Sequence, residues 1–152
     1  MRQQILHNAV ASCEAKMNVG IFGKLWRRIF PIFTRLEIAV LTATEKGLSP
    51  DFRQTFKAQL QQVNRVRRDP DGLETLLYCI KKGRPFREFS ERFPLSPREL
   101  KLSDVEVRYF GRTVPVAVWA VDGVLFRLEF GEAIKKFDIV PDYEIELLQV
   151  HL

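Results

Sequence analysis

The chain has 152 residues, of which 46% are hydrophobic and 28% are charged, and its formal net charge is +5. This composition is typical of one soluble domain with a sizeable core, and it argues against a disordered chain. No segment approaches the roughly 18–20 consecutive apolar residues of a membrane span, and residues 1–12 lack the apolar run of an export signal.

The only two cysteines are Cys13 and Cys79, and their positions suggest neither a zinc site nor a disulfide framework. Isolated cysteines of this kind usually behave as small buried apolar residues. We therefore expect a cytoplasmic protein that works in a reducing compartment.

The charge is unevenly placed along the chain. Residues 1–70 carry a net charge of +7, and residues 71–152 carry −2. Two such halves can neutralise each other within one fold, or they can mark surfaces for different partners.

Helical patterns occupy the first part of the chain. Residues 3–16 have apolar side chains at helical spacing, and residues 20–33, "GIFGKLWRRIFPIF", place apolar side chains on one half of a helical wheel and cations on the other. We interpret the second segment, which Pro31 interrupts, as a helix that faces the core rather than a membrane surface. Residues 34–46 continue the helical pattern up to a stop at Gly47.

The clearest predicted helix covers residues 49–68. Ser49 is its N-cap and Pro50 its first residue, and Asp51 complements the helix dipole. The buried stripe would comprise Phe52, Phe56, Leu60 (or Gln59) and Val63. Arg65, Arg67 and Arg68 would lie at the carboxyl end of the helix, before the turn "DPDG".

Residues 73–82 fit either a short helix or a strand. Residues 84–100 contain three prolines and read as a connector with at most one short helix, around residues 86–92. Three segments that follow, residues 104–110, 113–121 and 124–130, are rich in β-branched and aromatic side chains, and residues 143–150 form a further alternating segment.

The dipeptide Asp122-Gly123 predicts a two-residue hairpin turn. This turn pairs Val121 with Val124, Trp119 with Phe126 and Ala117 with Leu128 on one apolar face. The opposite face would hold Val114, Val116, Val118 and Ala120 against Leu125, Arg127 and Glu129. The middle strand is therefore apolar on both sides, and we expect both of its faces to be covered.

The predicted fold class is α+β, with N-terminal helices packed on a C-terminal antiparallel meander of three to five strands. We expect a single domain over residues 1–152, with a helical half at 1–70 and a mainly β half at 71–152.

Catalytic motifs are absent from the sequence. His7 and His151 have no acid or cysteine at a useful spacing, and there is no nucleophile elbow, phosphate-binding loop or zinc-protease motif. The carboxylate pairs Asp104/Glu106 and Glu144/Glu146 are best read as solvated strand faces. We predict no catalytic, cofactor-binding or metal-binding residues, although an enzyme whose site is scattered along the sequence stays an alternative.

Two binding functions are left. A protein-binding module of the adaptor, assembly or toxin-immunity type is the leading hypothesis, and its partner would be another protein or a second copy of the chain. Its candidate interface residues are Trp26, Trp119, Val116 and Val118. The alternative is nucleic-acid binding through the basic residues Arg65, Arg67 and Arg68.

Overall fold

The computed structural model of the protein describes residues 32–133 and 142–152, which belong to one compact unit, Ile32–Leu152. The predicted helices at 3–16 and 20–31, together with His7, Cys13 and Trp26, lie outside the described residues. The single domain over 1–152 therefore stays a prediction.

Two helices precede the sheet. Helix α1 spans Arg35–Gly47 and helix α2 spans Pro50–Leu60. A capping box starts α1: the Glu37 backbone N–H donates to Thr34 Oγ1 at 3.2 Å, and the Thr34 N–H donates to Glu37 Oε2 at 2.8 Å. The helix ends as predicted at Gly47, where a Cβ would collide with Leu147 and Val150.

Arg53 on α2 holds the two helices together. Its guanidinium donates hydrogen bonds to the carbonyl oxygens of Glu45, Lys46 and Leu48 at 2.9–3.1 Å. The Glu45 and Lys46 carbonyls lie in the last turn of α1, so the cation also stabilises the negative end of the helix dipole.

The predicted carboxyl end of α2 is wrong. The helix stops at Leu60, and Arg65–Arg68 form strand β1 instead of a last helical turn. The Asn64 side chain bonds both backbone groups of Ile80 at 2.8 Å, which takes the chain out of the helix at that point. The boundary between a helical half and a β half therefore falls before residue 65, not at residue 70.

The strands after β1 are, in chain order, β2 (Glu74–Tyr78), β3 (Ile80–Lys81), β4 (Arg84–Pro85), β5 (Glu99–Tyr109), β6 (Arg112–Val121), β7 (Val124–Phe130) and β8 (Glu144–Val150). Six of them form one antiparallel sheet in the order β1-β2-β7-β6-β5-β8, and β3 pairs with β4 separately. The ambiguous segment 73–82 is thus extended, and residues 86–98 form an irregular connector.

The α+β class is confirmed, and the sheet is wider than the predicted three to five strands. Both helices pack on one face, α1 against β5, β6 and β8 and α2 against β7. The core between these layers includes Val40, Phe56, Val105, Val118 and Leu128, all with no exposed surface.

The predicted turn at Asp122-Gly123 is confirmed, but the predicted pairing beyond it is wrong by one residue. Val121 faces Val124 and Ala120 faces Leu125, and then Trp119 faces Arg127 because Phe126 is an extra residue in β7. This β-bulge turns Leu128 and Phe130 towards the helices, where both are buried. The helix-facing side of the hairpin thus gains two large apolar side chains, and Trp119 is left beside a charged neighbour.

Candidate functional site

One face of the six-stranded sheet carries no helix among the described residues. We call it the open face and define it by the side chains that the strand registers place there. Its charged members are the cations Arg65, Arg67, Lys101, Arg108 and Arg127 and the acids Glu74, Glu99, Asp104, Glu106, Glu129, Glu144 and Glu146. Its middle contains Leu76, Tyr78, Ala117 and Trp119.

Trp119 lies in the middle strand of the open face and is partly exposed. Two cations flank its ring, with Lys101 Nζ 5.3 Å and the Arg127 guanidinium carbon 5.0 Å from the ring centroid. Both distances are within the range of a cation–π interaction. We expected both faces of β6 to be covered. The described residues cover only the face towards the helices.

Two hydrogen-bond donors at this place have no acceptor within residues 32–133 and 142–152. They are the indole Nε1 of Trp119 and the Nε of Arg127, and both are buried. Leaving a buried donor without an acceptor costs about 1–3 kcal/mol. A hydrogen-bond acceptor supplied from outside the described residues would therefore bind favourably beside this ring.

Arg127 is also the centre of a charged network. Its guanidinium lies 3.6 Å from Glu99 on β5 and Glu129 on β7, and 4.0 Å from Glu74 on β2. Its side chain is only 21% exposed, so the network holds the cation against the tryptophan ring.

Asp104 connects Lys101 to the last strand. Its two carboxylate oxygens contact Lys101 Nζ at 3.1 Å and His151 Nε2 at 2.7 Å. Burial tends to raise the pKa of Asp104, but the hydrogen bonds from His151 and Lys101 and their charges outweigh it, and the pKa lies below its usual range. The sequence hides this pair because 47 residues separate its members.

The lowered pKa of Asp104 predicts a pH effect on stability. The folded state holds this proton less tightly than the unfolded state, so the contribution is present above the ordinary pKa of about 3.9 and is lost as pH falls through the folded value. We expect Asp104→Asn to flatten the decline in unfolding free energy below about pH 4. Urea titrations across this range would measure it; an unchanged slope would contradict the assignment. Asp51→Asn, at an exposed position on α2, is the control.

The structure separates the residues predicted to form a protein interface. Val116 and Val118 are 1% and 0% exposed and face the helices, so neither side chain is available to a partner. Trp119 alone among the described candidates reaches the open face.

The predicted basic cluster is separated in the same way. Arg65 and Arg67 are exposed on the open face, whereas Arg68 points to the helix side and forms a bidentate ion pair with Glu37 at 2.6 and 2.8 Å. Because that ion pair engages Arg68, only two of the three arginines remain as candidates for phosphate contact.

The carboxylate pairs do lie on one face, as predicted. Arg108 is placed between them and contacts Glu106 at 3.1 Å and Glu146 at 2.5 Å. The acids therefore belong to a cross-strand charge lattice. Within residues 32–133 and 142–152, no three histidine, cysteine or acidic side chains are grouped so that they could hold a metal ion.

Concave surface is limited where the chain is described. A narrow cleft of about 20 Å³ runs between Cys79, Phe86 and Phe126, and an open groove of about 490 Å³ follows the outer side of α2. Cys79 is buried and free, and burial raises the pKa of its thiol in spite of nearby Lys81. Neither described helix is long and apolar enough to cross a membrane.

Comparison with known proteins finds no matching family model, no similar curated protein and no similar solved structure. The functional interpretation therefore depends on the open face alone. Sequence reasoning missed Lys101, Arg127 and His151 as members of this site. A hairpin without a bulge would place Arg127 and Trp119 on opposite faces of the sheet. No local sequence pattern therefore indicated that the two residues are neighbours.

Proposed function

We propose that the protein is a protein-binding module, of the adaptor, assembly or toxin-immunity type, and that it recognises its partner with the open face around Trp119. The observation that carries this proposal is the partly exposed indole of Trp119, because its Nε1 and the neighbouring Arg127 Nε are buried donors with no hydrogen-bond partner among the described residues. Tryptophan and arginine are enriched at the energetic centres of protein interfaces.

The charge of the open face favours a protein over a nucleic acid. Seven acids and five cations are intermixed across it, as the strand registers show. A phosphate backbone needs a continuous cationic surface, and these acids would repel it. A protein surface of mixed charge can complement such a lattice, which gives specificity and steers association.

Trp119→Ala should remove partner binding while the fold remains. We expect a loss of at least about 2 kcal/mol in binding free energy, which is about 30-fold in Kd, because the central aromatic anchor is lost together with its indole N–H donor. Leu95→Ala is the matched control, since Leu95 is 62% exposed but lies in the connector.

The experiment is affinity capture from the native lysate with wild-type protein and both variants, followed by titration of the captured protein. Retention of the partner by Trp119→Ala, or equal loss with Leu95→Ala, would contradict the proposal. Severe unfolding of Trp119→Ala would instead assign the ring to the core.

Nucleic-acid binding is the second candidate, supported by the exposure of Arg65 and Arg67. Its test is binding of single- and double-stranded oligonucleotides at decreasing salt, with Arg65→Ala/Arg67→Ala as the variant. No binding at low salt would remove it.

We place this activity in the cytoplasm as part of the same proposal. The buried free thiol of Cys79 supports a reducing compartment.

A further inference from the structure

The two edges of the six-stranded sheet have opposite charge on the open face. At one edge, β1 presents Arg65 and Arg67; at the other edge, β8 presents Glu144 and Glu146. No described residue pairs with the outer side of either strand. Unpaired edges attract further strands unless their chemistry prevents it, and charge of one sign at both edges is a common safeguard. Here the signs are opposite.

The directions of the two edge strands are also compatible. Each of the five neighbouring pairs in the sheet is antiparallel, so β1 and β8 run in opposite directions. A second copy placed beside the first, in the same orientation, would therefore continue the antiparallel alternation with its open face on the same side.

One register matches charge and polarity at three consecutive residue pairs of this junction. If Arg65 of one copy faces Glu146 of the next, then Val66 faces Ile145 and Arg67 faces Glu144. Both arginines then meet acids on the open face, and the two apolar residues, which are partly buried within one copy, meet on the helix side. Side chains directly opposite each other in an antiparallel pair lie about 4.5–5.5 Å apart, close enough for ion pairs.

We infer that β1 of one copy pairs antiparallel with β8 of a second copy, so that the protein self-associates edge to edge through complementary charge. Such a contact is heterologous, because two different surfaces of the chain meet, and it can repeat into a ring or an open row. It is also short, at three residue pairs. We therefore expect weak, concentration-dependent and salt-sensitive association. This inference uses the sheet edges and does not rest on the proposed role of Trp119.

Sedimentation velocity of the full chain tests the pairing. We expect the mean mass to rise above the 17.7 kDa monomer with concentration at low salt. It should return towards the monomer at about 1 M salt, where charges are screened beyond about 3 Å. A monomer at every concentration and salt would overturn the inference.

Charge reversal makes the test specific. Arg65→Glu/Arg67→Glu has two acidic edges, and Glu144→Lys/Glu146→Lys has two basic edges. Each variant alone should stay monomeric, and an equal mixture of the two should associate again, because acidic and basic edges are then both present. The matched control is Lys82→Glu/Arg84→Glu, which changes two exposed residues of the separate β3–β4 hairpin and should associate like wild type.

Other outcomes point to other surfaces. Association that survives both reversals but is lost in Trp119→Ala would assign self-association to the open face and overturn edge pairing. Failure of the mixture of the two variants to associate would also overturn edge pairing. If a double variant does not fold, as judged by circular dichroism, the single exchanges Arg65→Glu and Glu144→Lys replace it.

Discussion

Replacing Glu37 by alanine should destabilise the fold by about 2–3 kcal/mol, less than the cost of breaking a fully buried ion pair, because the Arg68 side chain is 37% exposed and water can solvate it. Glu37 is fully buried, and its carboxylate accepts four hydrogen bonds of 2.6–2.8 Å: two from Arg68 and one each from Thr75 and the Thr34 backbone. Alanine would remove the acceptor of the buried Thr75 hydroxyl and would dismantle the capping box of α1, whereas Arg68 would keep its bond to the Ile32 carbonyl.

The measurement is the unfolding free energy from urea titration. The matched control is Glu132→Ala, because Glu132 also pairs with an arginine, Arg112, whose Nη2 contacts both carboxylate oxygens at 2.7 and 2.9 Å, on the surface. An exposed pair is worth at most about 1 kcal/mol. Equal losses for the two variants would contradict the buried role of Glu37.

A double variant separates pairing from packing. Glu37→Met/Arg68→Met replaces both charges by apolar side chains, and buried pairs replaced in this way often lose little stability. We expect its loss to be smaller than that of Glu37→Ala. This ion pair ties β1 to α1, so it also sets the position of the edge that bears Arg65 and Arg67.

Gln59→Leu should cost about 2–4 kcal/mol, because it leaves buried backbone groups without partners. Gln59 is 1% exposed. Its amide nitrogen donates to the carbonyls of Glu91 and Gly123 at 2.9 and 3.0 Å, and its oxygen accepts from the Leu125 N–H at 2.7 Å. One side chain of α2 thus joins the connector, the β6–β7 turn and the start of β7.

Thermal and urea unfolding would measure this loss, with Gln54→Leu as the control. Gln54 is exposed on the same helix and bonds only the Glu91 side chain, at 3.3 Å, so we expect a change within about 0.5 kcal/mol. A similar loss in both variants would mean that leucine is harmful on α2 for another reason.

Local sequence patterns predicted much of this fold. Helix spacing and the glycine at residue 47 gave α1, and the alternating segments gave β5 to β8. The dipeptide Asp122-Gly123 predicted its turn, since both residues have positive φ, 50° and 75°, as the hairpin geometry requires. These features are encoded by neighbouring residues.

The features that were mispredicted depend on distant contacts. The sequence of Arg65–Arg68 is compatible with a helix end and with a strand, and pairing with β2 selects the strand. The alternation of apolar and polar residues does not predict the bulge at Phe126. The bulge buries Leu128 and Phe130 beneath the helices, and that packing depends on residues distant in the sequence. The contact between Arg127 and Trp119 could not be predicted for the same reason, because the bulge places these two residues side by side.

The strand order also has a kinetic consequence. Strands β5, β6 and β7 are consecutive in the chain and form the centre of the sheet, whereas β2 joins β7 across more than forty residues. Contacts between distant residues pay a larger loop-closure entropy. We therefore expect the two central hairpins to form first and then to act as the template on which β2, β1 and β8 assemble, so that the sheet grows outwards and its charged edges are completed last.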